Sequence, residues 1–273
     1  MSYKPSVSMR ELIEAGVHYG HKTSRWNPRM APYIFGERNG VHIIDLQQTL
    51  PLAYRAMQKV FEVVRDNGRI LMVGTKRQVA DEVAQTAQRC GQYYVNHRWL
   101  GGMLTNWKTV SRSIRKLKEL NRFLEKEEFE GYTKKEVLGF RRQQEKLNRS
   151  LGGITEMGGC PDLIFVIDSN RETLAMQEAR KLGIPIIAVL DSNSDPSDVD
   201  YPIPGNDDAT RAIQLYCRLI QEATLAGIEQ SLRASGVDLG AAQDAPQFEA
   251  AFKEAGASGD GEGEAEVKKA ASK

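Results

Sequence analysis

Hydrophobic positions along the chain follow two alternating spacings. Short runs of apolar, mostly β-branched residues predict buried strands. Between these runs, apolar residues return every three or four positions, which is the spacing of an amphipathic helix. Strand and helix that alternate in this way predict a parallel sheet with helices on both faces. The predicted strands are 41–45, 69–73, 93–95, 163–167 and 184–190.

Capping residues mark the first and last predicted helices. Ser8 and Glu11 have the spacing of a capping box and open a short helix. Asn206 is expected to cap the last helix, with Asp207 and Asp208 in its first turn, where negative charge suits the helix dipole. That helix is expected to end near Gly227. The remaining predictions are helices at 50–64, 79–90 and 171–181, an irregular loop at 16–40, and a brief strand at best at 201–205.

The alternation pauses between about residues 105 and 151. Two long, charged helices with narrow apolar stripes fill this segment, and Gly131 lies in the turn between them. Thr133 and Glu136 form a second capping box at the start of the second helix. The segment predicts an antiparallel helical hairpin that projects from the body, because its apolar stripes are too narrow to cover a sheet.

Three parts of the chain follow from this pattern. Residues 1–104 and 152–230 form a discontinuous α/β body, and residues 105–151 form the inserted hairpin. Residues 231–273 form an acidic tail of mostly Ala, Gly, Glu, Asp and Lys. We predict that this tail is disordered, because it holds too few large apolar side chains to offset the entropy of folding.

Composition indicates an ordinary soluble protein, with 41% hydrophobic and 27% charged residues. No apolar run is long enough for a membrane span, and the amino end lacks the pattern of a secretory signal. The three cysteines are isolated and odd in number, so neither a disulfide framework nor a zinc knuckle fits them. A reducing, cytoplasmic location is therefore expected.

The net charge of +1 conceals a strong asymmetry. Residues 1–150 hold 27 Lys and Arg against 15 Asp and Glu, a net charge of +12. Residues 151–273 hold 10 against 21, a net charge of −11. This division predicts that the first half binds a polyanion, although scattered basic residues on solvated helical faces would give the same totals.

A parallel sheet with crossover helices invites a search for nucleotide chemistry. Gly74-Thr75-Lys76 follows a strand and opens a helix, but neither the full phosphate-loop pattern nor a dinucleotide-binding fingerprint is present. Asp168 and Asp191 end successive strands and could bind Mg²⁺. We prefer the interpretation that they end the strands and cap the turns that follow.

Metal sites and catalytic residues are not predicted. His18 and His21 are three positions apart, yet no Cys lies near enough in sequence to complete a zinc site. The segment after Asp191 resembles the start of a calcium loop, but Pro196 replaces the required Gly. No serine nucleophile elbow occurs. We therefore expect no cofactor and no enzyme activity.

Two stretches, HYGHKTSRWNPRM at 18–30 and HRWLGGMLTNW at 97–107, mix aromatic, basic, polar and small residues. Arg and Lys neutralise phosphates, Asn and His bond to 2′-hydroxyls or base edges, and Trp stacks on an exposed base. At least one Trp is expected instead to be buried and to hold its loop on the body. The predicted RNA-binding residues are His18, His21, Lys22, Arg25, Trp26, Asn27, Arg29, Lys76, Arg77, His97, Arg98, Trp99, Asn106, Lys108 and Arg112.

Several long segments resemble the bacterial form of the second small-subunit ribosomal protein family, ribosomal protein S-two. The resemblance covers roughly residues 7–229 and excludes the acidic tail. Its segments are VSMRELIEAGVHYGHKTSRWNPRMAPYIFGERNGVHIIDL, VGTKR, VNHRWLGGMLTNWKTV, LGGITEMGGCPD, FVID, LGIPIIAVLDSNSDP and IPGNDDATRAI.

The resemblance implies a flavodoxin-like three-layer α/β/α parallel sheet with an inserted antiparallel coiled-coil hairpin. It implies a structural, non-catalytic role in translation, in a cytoplasmic, ribosome-bound ribonucleoprotein. The implied partners are small-subunit ribosomal RNA near the head–body junction and other small-subunit proteins, including the mRNA-binding S-one protein. The family motif places RNA-facing loops on GHKTSRWNP and NHRWLGGMLTNW.

Two alternatives from other classes remain at this point. The first is an enzyme of flavodoxin-like fold that uses residues 74–77 with Asp168 and Asp191. The second is a cytoplasmic scaffold whose hairpin binds a partner protein without any RNA. Affinity for folded RNA that falls steeply with salt would separate the ribosomal role from the scaffold.

Overall fold

A computed structural model describes residues 3–126, 129 and 131–234 of the chain. Contacts group residues 1–231 into one unit and place the residues from 232 onward in a second, of which the described part is the end of the last helix. The strands are β1 (Tyr19–Lys22), β2 (Ile34–Arg38), β3 (Val41–Ile44), β4 (Ile70–Val73), β5 (Tyr93–Val95), β6 (Leu163–Ile167), β7 (Ile186–Leu190) and β8 (Tyr201–Pro204).

The helices lie between these strands in the order that the sequence pattern predicts. Asp45 caps the second helix through its carboxylate, and Gly183 ends the sixth with a φ of 71°. The α-helices are α1 (Met9–Glu14), α2 (Leu46–Arg65), α3 (Arg77–Arg89), α4 (Trp107–Glu125), α5 (Lys134–Leu151), α6 (Thr173–Leu182) and α7 (Thr210–Ala234).

The five-stranded sheet is parallel throughout, with the strand order β5-β4-β6-β7-β8. Every residue of β4, β6 and β7 is buried, which explains why these strands read as continuous apolar runs. Alternate positions such as Leu71 and Ile164 share a core cluster with Ala175 and Ala179 of α6. Their neighbours point to the opposite face and are equally buried, so helices cover both faces of the sheet. The predicted three-layer α/β/α fold is confirmed.

Helices α2 and α7 pack closely against each other. Gly227 of α7 lies so near α2 that an added Cβ would be 3.0 Å from the carbonyl oxygen of Phe61 and from the Cβ of Val64. Thr49 of α2 also donates its hydroxyl to the carbonyl oxygen of Pro204 in β8, at 2.7 Å. These contacts attach α2 to the carboxyl-terminal helix and to β8.

A small antiparallel sheet replaces the irregular loop that we predicted at 16–40. Its strand order is β1-β3-β2, and β3 belongs to this sheet instead of the parallel one. Its residues are mostly exposed or half-buried, so they lack the apolar runs that identified the other strands. Register shifts in both strand pairs further disrupt the two-residue alternation of the sequence.

Helices α4 and α5 form an antiparallel hairpin. Gln144 donates to Asn121 at 3.0 Å, and Phe123 packs edge-on against Phe140. Tyr132 contacts both phenylalanines, which gives an aromatic cluster at the tip. The expectation that the hairpin only projects from the body is wrong for its base, since Val110, Ile114, Leu117 and Leu151 belong to the same core cluster as the sheet.

Several element ends differ from the sequence prediction. Helix α7 begins at Thr210, because Asn206 accepts hydrogen bonds from the backbone of Asp208 and Ala209 in a turn that precedes the helix. It continues to Ala234, past the predicted end near Gly227. The predicted brief strand at 201–205 is confirmed as β8. Of the predicted disordered tail, residues 235–273 lie outside the described residues.

The buried base of the hairpin generates a test. Leu117→Ala should lower the free energy of unfolding by about 3 kcal/mol, because a fully buried leucine leaves a cavity in the core. Leu138→Ala on α5 removes a side chain that is 48% exposed, and it should change the free energy of unfolding by less than about 0.5 kcal/mol. Urea unfolding measures both changes. Equal effects would mean that the hairpin base is not part of the body core.

Candidate nucleic-acid interface

The first candidate surface is the loop 22–29, called here the first loop. Its backbone is fixed on the segment after β7, since His21 donates to the hydroxyl of Ser192 and Asn27 donates to the carbonyl oxygen of Ser192, both at 2.8 Å. The Asn27 side chain accepts from the backbone of Arg29 at 3.0 Å and caps a 3-10 turn. The loop therefore has a defined shape, on which Lys22 and Arg25 are exposed.

Trp26 is 39% exposed and offers an aromatic face at the end of the first loop. Its ring lies 5.2 Å from the ring of His42. The two rings line an open cleft of about 300 Å³ together with Ala31, Ile34, Gly36 and Glu37. This arrangement leaves part of the indole surface exposed, and the stacking of Trp26 on a base stays a prediction.

The second candidate surface is the loop 97–106, called here the second loop, and one buried carboxylate fixes it. Glu178 of α6 is only 9% exposed and accepts five hydrogen bonds from this loop. The donors are the indole nitrogen of Trp99 (3.0 Å), the backbone nitrogens of Gly102 (2.7 Å), Leu104 (2.9 Å) and Thr105 (3.1 Å), and the hydroxyl of Thr105 (3.1 Å).

The ionised form of Glu178 is the one that these bonds stabilise. Burial raises the pKa of Glu178, but the hydrogen bonds from Trp99 and the loop backbone outweigh it, and the pKa lies below its usual value of 4.5. Trp99 is 6% exposed, so no face of its indole is open to a base. The structure gives Trp99 a supporting role and confirms the expectation that at least one tryptophan holds its loop on the body.

Exposed polar and basic side chains surround the second loop. Asn106 caps no backbone group with its side chain at the start of α4, and Lys108 and Arg112 project from the first turns of that helix. Trp107, at the first position of α4, packs against the core cluster. Among the described residues, none of Lys22, Arg25, Arg98, Lys108 and Arg112 takes part in an ion pair.

A basic cleft of about 750 Å³ adjoins the second loop, and sequence reasoning missed it. His97 and Arg98 form one wall, and residues of α5 form the other. The α5 residues Arg142, Lys146 and Arg149 are spaced four and three positions apart, which places them on one helix face. That spacing could have predicted a basic face on α5, but the segment was interpreted only as a charged hairpin. Glu145, Asn148 and Ser150 complete the lining.

The two loops rest on neighbouring parts of the body. Met30, just after the first loop, shares a core cluster with Trp99 and Leu104 of the second. Arg29 pairs with Asp195 at 2.6 Å, in the segment that follows β7. In that same segment, Arg180 of α6 pairs with Asp198 at 2.7 Å. A continuous set of contacts therefore connects the supports of both loops.

Two of the predicted RNA-binding cations, Lys76 and His21, are half-buried and pair with carboxylates. Lys76 contacts Asp207 (3.1 Å), Asp168 (3.5 Å) and Asp208, and the carboxylates of Asp208 and Asp207 outweigh burial and raise its pKa. His21 lies 3.1 Å from Asp191. These four aspartates are called here the carboxylate cluster. The sequence alone could not predict these ion pairs, since 170 positions separate His21 from Asp191.

The remaining predicted residues differ in exposure. His18 is half-buried with its ring centroid 4.1 Å from that of Tyr19, and burial lowers its pKa, so its ring is neutral near pH 7. Arg77 and His97 are exposed. His18 is therefore suited to hydrogen bonding, whereas Arg77 retains a free charge.

The Gly-Thr-Lys turn binds groups of the protein itself. Glu172 accepts from the backbone nitrogen of Thr75 at 2.9 Å and from its hydroxyl. Lys76 is engaged by the carboxylate cluster. In a phosphate loop these same donors would face the nucleotide, so the turn does not form an open anion site here. None of the helices in the described part of the chain has the length and apolarity to cross a bilayer.

Comparison with known proteins gives a single family. The family model for ribosomal protein S2 matches residues 12–227. The chain is 63% identical over 243 residues to the small ribosomal subunit protein uS2 of Rhodospirillum centenum, which covers 89% of this chain and 93% of the relative. It is 62% identical over 255 residues to the uS2 protein of Gluconobacter oxydans, which covers 93% and 96%.

The support of the second loop by Glu178 is testable. Glu178→Ala should lower the free energy of unfolding at pH 7 by about 3 kcal/mol, because buried loop donors lose their acceptor. Glu119→Ala, at an exposed position of α4, should cost less than about 0.5 kcal/mol. Urea unfolding of both variants measures these values.

The same variant has an expected pH dependence. Because the folded pKa of Glu178 is lowered, its stabilising contribution is present above pH 4.5 and is lost as the pH falls through the folded value. The stability gap between wild type and Glu178→Ala should therefore narrow below pH 4.5. A gap that stays constant down to the acid transition would show that the ionised carboxylate does not support the loop.

Proposed function

We propose, from the premise that the chain belongs to the ribosomal protein S2 family, that it is a structural component of the small ribosomal subunit that binds ribosomal RNA. Family membership supports the structural role in the subunit. The RNA-binding part of the proposal is supported by the two exposed loops. Residues 12–227, which match the family, contain both loops and the hairpin.

One observation carries the RNA proposal: exposed cations stand on loops whose backbones are held by buried groups. Glu178 holds the second loop, and Ser192 holds the first. A surface fixed before binding loses little conformational entropy when it docks. Mobile surface lysines would supply positive charge but no defined surface, whereas fixed loops can match the contour of a folded RNA.

The residues divide into three proposed roles. Lys22, Arg25, Arg77, Arg98, Lys108 and Arg112 contact backbone phosphates. Trp26 stacks on a base, and Asn106 and His97 bond to sugars or base edges. The remaining candidates position these contacts: Trp99, Asn27 and Lys76 do so as buried or half-buried side chains, and Arg29 does so through its exposed ion pair with Asp195.

The basic cleft extends this surface along the hairpin. Arg98, Arg142, Lys146 and Arg149 face one opening that holds a single carboxylate, Glu145. A cleft with this excess of positive charge attracts the phosphates of a nucleic acid. We include it in the proposed RNA interface.

The proposals on location and protein partners rest on membership in the family. We propose that the protein is ribosome-bound in the cytoplasm, contacts other small-subunit proteins and supports attachment of the mRNA-binding S-one protein. We propose no enzyme activity for it. The internal hydrogen bonds of the Gly-Thr-Lys turn disfavour the nucleotide-binding alternative.

A double substitution tests the RNA interface. Arg25→Ala with Arg98→Ala should reduce association with small-subunit particles in sucrose gradients. With purified ribosomal RNA, the slope of log affinity against log salt should become shallower by about 1.4 to 1.8, because two phosphate contacts are lost. The circular dichroism and melting temperature should match the wild type, as both side chains are exposed.

The matched control replaces two exposed arginines outside the loops. Arg55→Ala with Arg89→Ala removes the same charge from α2 and α3 and should leave the salt slope nearly unchanged. Equal losses in both double variants would indicate attraction by net charge alone. Association of the Arg25/Arg98 variant at the wild-type level would refute the proposed interface.

A further inference from the structure

The chain contains two Asn-Gly pairs, Asn39-Gly40 and Asn67-Gly68. In such a pair the asparagine side chain is open to attack by the next backbone nitrogen, because glycine has no side chain to shield that nitrogen. Asn39 and Asn67 have nearly the same backbone conformation, with φ angles of 54° and 59° in the left-handed region that asparagine tolerates. The two pairs therefore form a matched comparison within one molecule.

Contacts with the surrounding structure hold Asn67-Gly68 in place. At the end of α2, the Asn67 nitrogen donates to the carbonyl oxygen of Val64 at 2.9 Å. The Gly68 nitrogen donates to the carbonyl oxygen of Val63 at 2.7 Å, which completes a Schellman motif. The hydroxyl of Ser231 donates to the Oδ1 atom of Asn67 at 2.9 Å. Both the side-chain amide and the following nitrogen of this pair are therefore engaged.

Asn39-Gly40 is exposed and lacks these restraints in the described part of the chain. The pair forms the two-residue turn between β2 and β3, and both of its φ angles are positive, as in a type I′ hairpin. The Asn39 side chain has no hydrogen-bond partner among the described residues, and the Gly40 nitrogen donates to none of them. A Cβ added to Gly40 would meet no atom within 4 Å apart from its chain neighbours.

We propose that Asn39 is a site of spontaneous deamidation, and that the contacts of Asn67 protect it from the same reaction. The Gly40 nitrogen bonds to the Cγ atom of Asn39, the Cγ–Nδ2 bond breaks, and the side-chain nitrogen leaves as ammonia with the proton that Gly40 gives up. Water then opens the cyclic imide at one of its two carbonyl carbons, which yields aspartate or isoaspartate at position 39. The net reaction consumes one water and releases one ammonia.

Distortion of the turn is the step that distinguishes the two sites. Ring closure requires the side chain and the backbone to rotate, so the turn must open locally before the reaction. At Asn67 this opening breaks the hydrogen bonds made by Gly68 and Ser231 and disturbs the end of α2. At Asn39 the neighbouring contact is a hydrogen bond from the Thr23 nitrogen to the Gly40 carbonyl oxygen at 3.0 Å. Fewer contacts therefore oppose the reaction at the hairpin turn.

Deamidation of Asn39 would change the first loop. Thr23 begins the 3-10 turn Thr23–Arg25 of that loop, and its hydrogen bond to Gly40 attaches the loop to the hairpin turn. Isoaspartate passes the main chain through the former side chain and adds one carbon to a turn of only two residues, which displaces the Gly40 carbonyl group. A negative charge is also added beside a loop that carries exposed Lys22 and Arg25. The reaction would therefore loosen the loop and reduce its positive charge.

Mass spectrometry of the full folded chain tests the proposal. The chain is incubated at mildly alkaline pH in water labelled with heavy oxygen and is then digested at acid pH, which stops the reaction. Position 39 should carry the label, as aspartate and isoaspartate. Asn67 should react about tenfold or more slowly, because its hydrogen bonds must break first. The label distinguishes reaction in the folded chain from reaction during digestion in ordinary water.

The unfolded chain is the matched control. In denaturant neither pair retains its contacts, so the two rates should become nearly equal. That result would assign the protection of Asn67 to the fold and not to its flanking residues. Equal rates in the folded chain, or faster reaction at Asn67, would overturn the proposal. So would an Asn39 that stays intact in the folded chain while the unfolded chain reacts.

Hydrogen exchange measures the effect on the first loop. In the isoaspartate form, separated by ion exchange, the Thr23 amide should exchange about tenfold or more faster than in the parent, because it loses its acceptor. Asn39→Asp adds the same charge without lengthening the backbone, so the Thr23 amide should stay protected in that variant. An isoaspartate form that protects Thr23 as well as the parent does would refute the effect on the loop. Neither measurement involves RNA, so the outcome is independent of the proposed RNA interface.

Discussion

Carboxylates from the second half of the chain hold the two loops of the first half. Glu178 fixes the second loop, Asp195 pairs with Arg29, and the carboxylate cluster engages His21 and Lys76. Glu178 lies on α6, and Asp168 and Asp191 directly follow the strands β6 and β7. Without these acceptors, the loop backbones would lose buried hydrogen-bond partners, and the exposed cations would lose their fixed arrangement.

This pairing changes the meaning of the charge asymmetry. A net charge of +12 in residues 1–150 predicted a surface for a polyanion, but part of that charge is paired with carboxylates of the same chain. Cations outside the described ion pairs lie on the two loops, at the start of α4 and in the basic cleft, and others, such as Arg55 and Arg89, lie elsewhere on the described surface. The acidic half is thus partly a scaffold for the basic half, which totals along a sequence cannot reveal.

Much of the fold could be predicted because its signals are local. The buried strands of the parallel sheet are continuous apolar runs, and both capping boxes form as their spacing indicates. The small antiparallel sheet was missed because its strands are short, half-exposed and shifted in register. The partners of His21, Lys76 and Trp99 were missed because they lie between 79 and 187 positions away, where no local pattern connects them.

Helix α4 connects the second loop to the aromatic cluster of the hairpin. It starts at Trp107, directly after the second loop, and ends at Glu125, close to the aromatic cluster of Phe123, Tyr132 and Phe140. Nineteen residues of α-helix extend about 28 Å. Because the first half of α4 is embedded in the core, any tilt of the helix would pivot about that half. A neighbouring molecule that displaced the aromatic cluster would tilt α4 and would thereby also displace the second loop.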